Sequence, residues 1–153
     1  MKIKFKWLLP VILLTISVSC KKSSTTEPPV PVTDTTKPVI IVVDPTAGKT
    51  YTYGTTGTAL HLQLDLSDNA ELKSYRVVIN KSLKGLETAD WAFSQTWNIA
   101  AGKKTLAVNH SEISIPSTVT GKQTTTGNYD MTIFCNDVAG NEASVTLSIV
   151  LAK

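Results

Sequence analysis

The chain has 153 residues, with 15 basic and 12 acidic side chains and a net charge of +3. The whole surplus lies in Lys2, Lys4 and Lys6, so residues 20–153 are electrically neutral. A neutral chain lacks the clustered Lys and Arg that phosphate binding needs, which excludes nucleic acid as a partner.

Residues 1–19 read as a signal peptide. The three lysines form a positive start, and residues 7–19 are mostly apolar. This run is too short to span a hydrocarbon layer of about 30 Å, but it suits a secretory signal. The small residues Ser17 and Ser19 come just before Cys20. We therefore predict that the chain is exported and cleaved before Cys20.

Cys20 is the predicted site of lipid attachment. The stretch "ISVSC" resembles the box at which bacterial lipoproteins are lipidated on the cysteine sulfur, although that box usually has Leu at Ser17 and a small residue at Val18. Ser17 and Ser19 also fit an ordinary small-x-small cleavage site, which is the alternative. A cysteine carrying several acyl chains would attach the protein stably to a membrane.

A polar segment follows the cysteine. Residues 20–37 are rich in Pro, Thr and Ser and cannot bury apolar surface, so we predict a flexible tether. The expected location is the cell envelope, at the outer membrane through the lipid anchor. Lys21 and Lys22 stand where surface-exported lipoproteins of some families carry acidic residues, which favours the periplasmic face.

Residues 38–153 have the size of one domain and the pattern of a β-sheet protein. The stretch "TALHLQLDLSD" places four leucines on one face, and "NYDMTIFCND" and "EASVTLSIVLA" alternate in the same way. Two more β-branched runs, "KPVIIVVD" and "LKSYRVVIN", are punctuated by Gly, Pro, Asp and Asn. This period of two predicts an all-β fold, a sandwich of about seven short strands.

Two stretches carry a family resemblance. "LSDNAELKSYRVVIN" and "GNYDMTIFCNDVAGNEASVTLSIVL" resemble the B–C and F–G regions of bacterial immunoglobulin-like domains, and Tyr129 resembles the tyrosine-corner residue of strand F. Together with Cys20, "DTTKPVI" and "ISIP", their order is similar to a bacterial lipoprotein family that has an immunoglobulin-like domain of unknown function 4625. The resemblance implies an immunoglobulin-like antiparallel β-sandwich in residues 38–153 and a place in the envelope, but no activity.

Oxygen-bearing side chains are expected to meet at one end of such a sandwich. The B–C and F–G loops would bring one group of residues together: Asp65, Asp68, Asn69, Asp137 and Asn141. Converging oxygen ligands can bind Ca²⁺. The alternative is that Asp and Asn only close turns, since no loop has the spacing of a known Ca²⁺ motif. We predict no other cofactor.

The segment "DWAFSQTW" places Trp91, Phe93 and Trp97 on one side of an extended chain. On an exposed face these rings would form a platform for stacking sugars. The alternative is that they close the core of the sandwich.

Enzymatic activity finds no support in the sequence. The two histidines, His61 and His110, have no metal-ligand spacing, and consecutive strand residues such as His110 and Ser111 point to opposite faces. Cys135 lies on an apolar strand face and is expected to be buried. We predict a non-catalytic, membrane-anchored module that binds a protein or another envelope component. The alternative is a carbohydrate-binding lipoprotein that uses the aromatic side chains.

Overall fold

The structure is a computed structural model that describes residues 33–82 and 89–153. The predicted signal peptide and the predicted lipid attachment site, Cys20, lie outside these ranges. Across the described ranges, no helix is long and apolar enough to cross a membrane.

The described part of the chain forms ten β-strands. They are β1 (Val39–Asp44), β2 (Thr50–Thr52), β3 (Thr58–Ser67), β4 (Leu72–Lys81), β5 (Phe93–Asn98), β6 (Thr105–Ile115), β7 (Thr118–Val119), β8 (Lys122–Gln123), β9 (Gly127–Asp137) and β10 (Glu142–Ala152). The sequence predicted about seven strands. The strands β2, β7 and β8 have only two or three residues, too few to show an alternating pattern.

Two sheets make up the sandwich. One has the strand order β1-β3-β6 and the other the order β2-β10-β9-β4-β5, while β7 and β8 form a separate hairpin. Neighbouring strands are antiparallel except for β2, which runs parallel to β10. This arrangement confirms the predicted all-β, immunoglobulin-like antiparallel β-sandwich.

The chain crosses from one sheet to the other between β1 and β2. β1 pairs with β3 and ends at Asp44, which is followed by a cis peptide bond to Pro45. Pro45 has no backbone N–H to continue a ladder. Beyond the turn, the Gly48 N–H donates to the Ser148 carbonyl at 2.7 Å, which docks the chain on β10. β1 and β2 therefore form edge strands of two different sheets, although the sequence predicted only the first of them.

The core lies between the two sheets, on the faces that alternation predicted. The side chains of Leu60, Leu62, Leu64 and Leu66 in β3, and of Tyr129, Met131, Ile133 and Cys135 in β9, are at most 2% exposed. Since successive strand residues point to opposite faces, each long strand contributes every second side chain to this core. The prediction that Cys135 is buried is confirmed.

Candidate functional site

The loops β3–β4 and β9–β10 lie side by side at one end of the sandwich, which we call the loop end. The backbone N–H of Val138 donates to the Glu71 carbonyl at 2.9 Å, which joins the two loops directly. Asp68 and Asn69 follow β3, Asp137 ends β9, and Asn141 precedes β10. The sequence correctly placed these four residues at the same end of the molecule.

The β9–β10 turn is closed by a pair of side chains. The Asn141 backbone N–H donates to Asp137 Oδ1 at 2.7 Å, and the Asn141 side-chain amide donates to Asp137 Oδ2 at 2.6 Å. Gly140 supplies the left-handed backbone that the turn requires, with φ of +94°. In the β3–β4 turn, Asp68 Oδ2 accepts the Ala70 backbone N–H at 2.9 Å. Turn closure, the alternative considered for these residues, thus accounts for part of their hydrogen bonding.

A third acid joins the loop end from before β1. Asp34, Asp68 and Asp137 each place one carboxylate oxygen within 4.8 Å of the other two, and we call these three residues the aspartate cluster. The side-chain amides of Asn69 and Asn141 donate to Asp34, at Oδ1 and at the backbone carbonyl, both at 3.1 Å. Sequence reasoning missed Asp34 because it lies in the Pro- and Thr-rich segment that was predicted to be a tether.

The prediction that Asp65 belongs with this group is wrong. Asp65 lies inside β3, opposite Ile41 of β1 and Ala107 of β6, and its side chain is exposed. The ladder continues to Ser67, so Asp65 lies within the sheet rather than in the loop.

Of the three aromatic residues proposed as a sugar platform, Trp91 belongs to the core and the other two pack against it. Trp91 is only 5% exposed and packs near Tyr129, with the ring centroids 6.1 Å apart. Phe93 and Trp97 are half-buried against the core, and Trp97 stacks on Tyr75 with the centroids 5.1 Å apart. The register explains this, because β5 pairs with β4 so that Trp97 lies opposite the buried Tyr75. The core alternative therefore holds for Trp91, whereas Phe93 and Trp97 pack against the core and remain partly exposed.

His110 extends this aromatic group to the other sheet. Its ring stacks on Trp97 with the centroids 4.7 Å apart, its Nε2 hydrogen-bonds the Tyr75 hydroxyl, and its Nδ1 lies 2.5 Å from Glu112 Oε1. An irregularity in the β3–β6 ladder, where Leu62 pairs with His110, aims the imidazole inward. Burial, with the nearby Glu112 charge, raises the pKa of Tyr75 to about 12. Its hydroxyl stays protonated at neutral pH and is not a ready nucleophile.

The exposed face of the β1-β3-β6 sheet, which we call the outer face, carries a row of apolar side chains. Val39, Ile41 and Val43 alternate along β1 and are 53%, 56% and 43% exposed. Beside Ile41 a shallow groove of about 310 Å³ runs over Asp65 and Ala107. Val39 and Ile41 share this face as alternate residues of β1, and Val43 extends the row at an irregularity where the ladder shifts register between Val42 and Asp44.

A polar network borders the row. His61 Nδ1 lies 2.9 Å from Asp44 Oδ2, His61 Nε2 lies 2.8 Å from Asn109 Oδ1, and Lys49 Nζ lies 2.6 Å from Asp44 Oδ1. The hydrogen bonds to Asp44 and Asn109 raise the pKa of His61. The outer face thus combines an apolar row with a charged and polar border.

Fold and sites together define an immunoglobulin-like β-sandwich module. Residues 18–152 match the family described as a domain of unknown function (DUF4625), and the chain belongs to that family. No curated protein matches the chain.

Proposed function

We propose that the chain is a non-catalytic, membrane-anchored lipoprotein of the cell envelope that binds a protein partner through its outer face. The observation that carries this proposal is the row formed by Val39, Ile41 and Val43. Folded monomeric domains rarely expose large contiguous apolar surface, and such patches mark sites of interaction.

The position of the row favours a protein over a small ligand. Among the described residues, the other exposed large hydrophobic side chain is Val138, which lies in the β9–β10 loop rather than on a strand of this sheet. β1 is an edge strand of its sheet, with β3 as its hydrogen-bonded neighbour. Edge strands offer backbone donors and acceptors that an extended segment of another chain can pair with. The polar border of Asp44, Lys49 and His61 resembles the polar rim of a protein interface.

Membrane anchoring rests on the amino-acid sequence. Cys20 follows an apolar signal segment, and a Pro- and Thr-rich stretch separates it from β1. Replacing Cys20 by Ala should abolish metabolic labelling with a radioactive fatty acid and move the protein from the membrane fraction to the soluble fraction. A Cys20→Ala protein that keeps the label would refute lipidation at this residue.

Carbohydrate binding through aromatic stacking is not supported. Trp91 is buried, and Tyr75 and His110 both stack on Trp97. The buried Trp91 ring cannot stack on a sugar without opening the sandwich.

Site-specific photo-crosslinking in intact cells tests the proposed face. A photo-reactive amino acid is introduced at Ile41, and in a matched variant at Ser144, an exposed residue of β10 in the other sheet. We expect one discrete protein adduct from Ile41 and none from Ser144. Equal adducts from both positions, or none from Ile41, would contradict binding through the outer face.

A further inference from the structure

The strongest unexplained feature outside the outer face is the aspartate cluster. We propose that Asp34, Asp68 and Asp137 bind one Ca²⁺ ion, which ties the segment preceding β1 to both loops of the loop end. Binding of the ion does not depend on the proposed function. Its consequence for a membrane tether does rest on the proposed lipid anchor.

The first argument is charge. Asp137 is fully buried, and its carboxylate lies within 4.8 Å of two others. Within residues 33–82 and 89–153, none of the three acids forms an ion pair with Lys, Arg or His. Lys104 is nearby, but its ammonium donates to the Asn69 carbonyl at 2.8 Å. A buried carboxylate needs a compensating charge, and three adjacent ones need it more.

The second and independent argument is that two of the carboxylate oxygens have nothing to bond to. Asp34 Oδ2 and Asp68 Oδ1 each expose less than 1 Å² and have no hydrogen-bond partner among the described residues. A buried acceptor without a partner is costly, so each of these two oxygens is expected to bind an ion or a water molecule. Turn closure does not account for these two atoms, because the turn hydrogen bonds go to the other oxygens.

The second oxygen of each of these two carboxylates accepts hydrogen bonds from neighbouring groups. Asp34 Oδ1 accepts the Thr36 N–H at 3.0 Å and the Asn69 side-chain amide at 3.1 Å, while Asp68 Oδ2 accepts the Ala70 N–H. These hydrogen bonds hold both carboxylates in place before any ion arrives, as in a preformed cation site.

The donor set points to calcium. Every candidate ligand is a hard oxygen, whereas Zn²⁺ sites usually include His or Cys. Ca²⁺ accepts six to eight oxygens in flexible geometry, so water can complete the shell around three carboxylates. Extracellular calcium modules bind with dissociation constants of about 10⁻⁴–10⁻³ M, the range that we expect here.

The ion would also determine how the chain enters the domain. Asp68 and Asp137 belong to the two loops, whereas Asp34 precedes β1 by five residues. One ion bound to all three fixes the path of this segment against the loop end. In an anchored protein, calcium would then set the direction in which the domain projects from its tether.

The test uses the full-length mature protein in detergent. Thermal midpoints are measured in EGTA and at Ca²⁺ concentrations up to about 10 mM, above the expected dissociation constant. Hydrogen exchange is followed in parallel at the Thr36 amide. The variants are Asp34→Asn, Asp137→Asn and, as a matched acid outside the cluster, Asp65→Asn.

We expect Ca²⁺ to raise the midpoint and slow exchange at Thr36 in the wild type and in Asp65→Asn. Asp34→Asn should weaken Ca²⁺ binding about tenfold or more, because it removes one charged ligand. Asp34 lies outside the strands, so this variant tests the proposal even if Asp137→Asn fails to fold. No calcium response in the wild type, or an equal loss in Asp65→Asn, would overturn the site.

A further outcome separates the site from its coupling to the tether. If Asp34→Asn binds Ca²⁺ as the wild type does, and Thr36 exchanges equally fast with and without the ion, the coupling is refuted. Neither result bears on the outer face, which the crosslinking at Ile41 tests separately.

Discussion

The Tyr129 hydroxyl donates a hydrogen bond to the backbone carbonyl of Thr125 at 2.8 Å, four residues earlier in the chain. This is the tyrosine corner that "GNYD" predicted at the start of strand F, here β9. The same hydroxyl accepts the Trp91 backbone N–H at 3.3 Å. One buried side chain therefore holds the entry to β9 against the segment before β5.

Replacing Tyr129 by Phe should lower the free energy of unfolding by about 1–3 kcal/mol, because the Thr125 carbonyl and the Trp91 N–H both lose a buried partner. Denaturation in guanidinium chloride measures the change. Tyr51→Phe is the matched control, since the Tyr51 hydroxyl is buried without a partner in the described part of the chain. Removing the Tyr51 hydroxyl should leave the free energy of unfolding unchanged or slightly higher. Equal decreases in Tyr129→Phe and Tyr51→Phe would contradict the tyrosine corner.

Gly57 should tolerate a side chain far less than Gly48. Both have positive φ, +83° and +78°, so alanine costs about 1 kcal/mol of backbone strain at either position. A Cβ at Gly57 would also lie 2.5 Å from the Ile115 carbonyl oxygen, whereas at Gly48 it would meet nothing within 4 Å. We expect Gly57→Ala to cost about 1–3 kcal/mol more than Gly48→Ala in chemical denaturation. Indistinguishable midpoints would show that the backbone moves to admit the methyl group.

The His61–Asp44 pair should make stability depend on pH near neutrality. Hydrogen bonds to Asp44 and Asn109 raise the pKa of His61 in the folded state, so protons bind more tightly there than in the unfolded chain. The resulting contribution of His61 to the stability of the fold is complete below the pKa of the unfolded chain, about 6.5. It is lost as the pH rises through the raised pKa of the folded state.

Thermal midpoints of the wild type and of His61→Gln measure the effect. The difference in thermal midpoint between the wild type and His61→Gln should shrink as the pH rises from about 6.5 through the folded pKa of His61. A difference that stays constant across this pH range would contradict the role of the His61–Asp44 pair. Asp44 titrates at lower pH, because burial would raise its pKa but hydrogen bonds from Lys49 and His61 outweigh burial and lower it.

Cys135 should be inert in the folded protein. Burial, with the charges of Asp68 and Asp137, raises the pKa of its thiol to about 11. Iodoacetamide at about pH 8 attacks only thiolates, so it should leave the Cys135 peptide unmodified until denaturant is added. An Ala107→Cys variant, with its thiol on the outer face, should react at once. Rapid labelling of Cys135 under native conditions would refute its burial.

Local patterning predicted the parts of the fold that depend on alternation. The four leucines of β3 and the inward face of β9 could be assigned because a strand places every second residue on one side. The β9–β10 turn could be assigned because Gly140, Asp137 and Asn141 have the chemistry of a tight turn, and Tyr129 was assigned through its resemblance to a tyrosine-corner residue.

The features that local patterning did not predict depend on which distant segments of the chain pack together. Asp34 lies 34 residues from Asp68 and 103 from Asp137 in sequence, and no local pattern indicates that the three carboxylates meet. The burial of Trp91 and Trp97 depends on which strand β5 pairs with. The exposure of the β1 row depends on β1 being at the edge of its sheet.

Partner binding through the outer face is tested most directly by the size of the complex that the protein forms in membranes. Wild type, Ile41→Asp and Ser144→Asp are extracted in mild detergent and sized by chromatography with light scattering, after thermal melting has shown that all three are folded. We predict that wild type and Ser144→Asp elute together in a complex with another protein, and that Ile41→Asp elutes alone. If Ile41→Asp stays in the same complex as the wild type, or if the wild type elutes alone, the outer face is not the binding site.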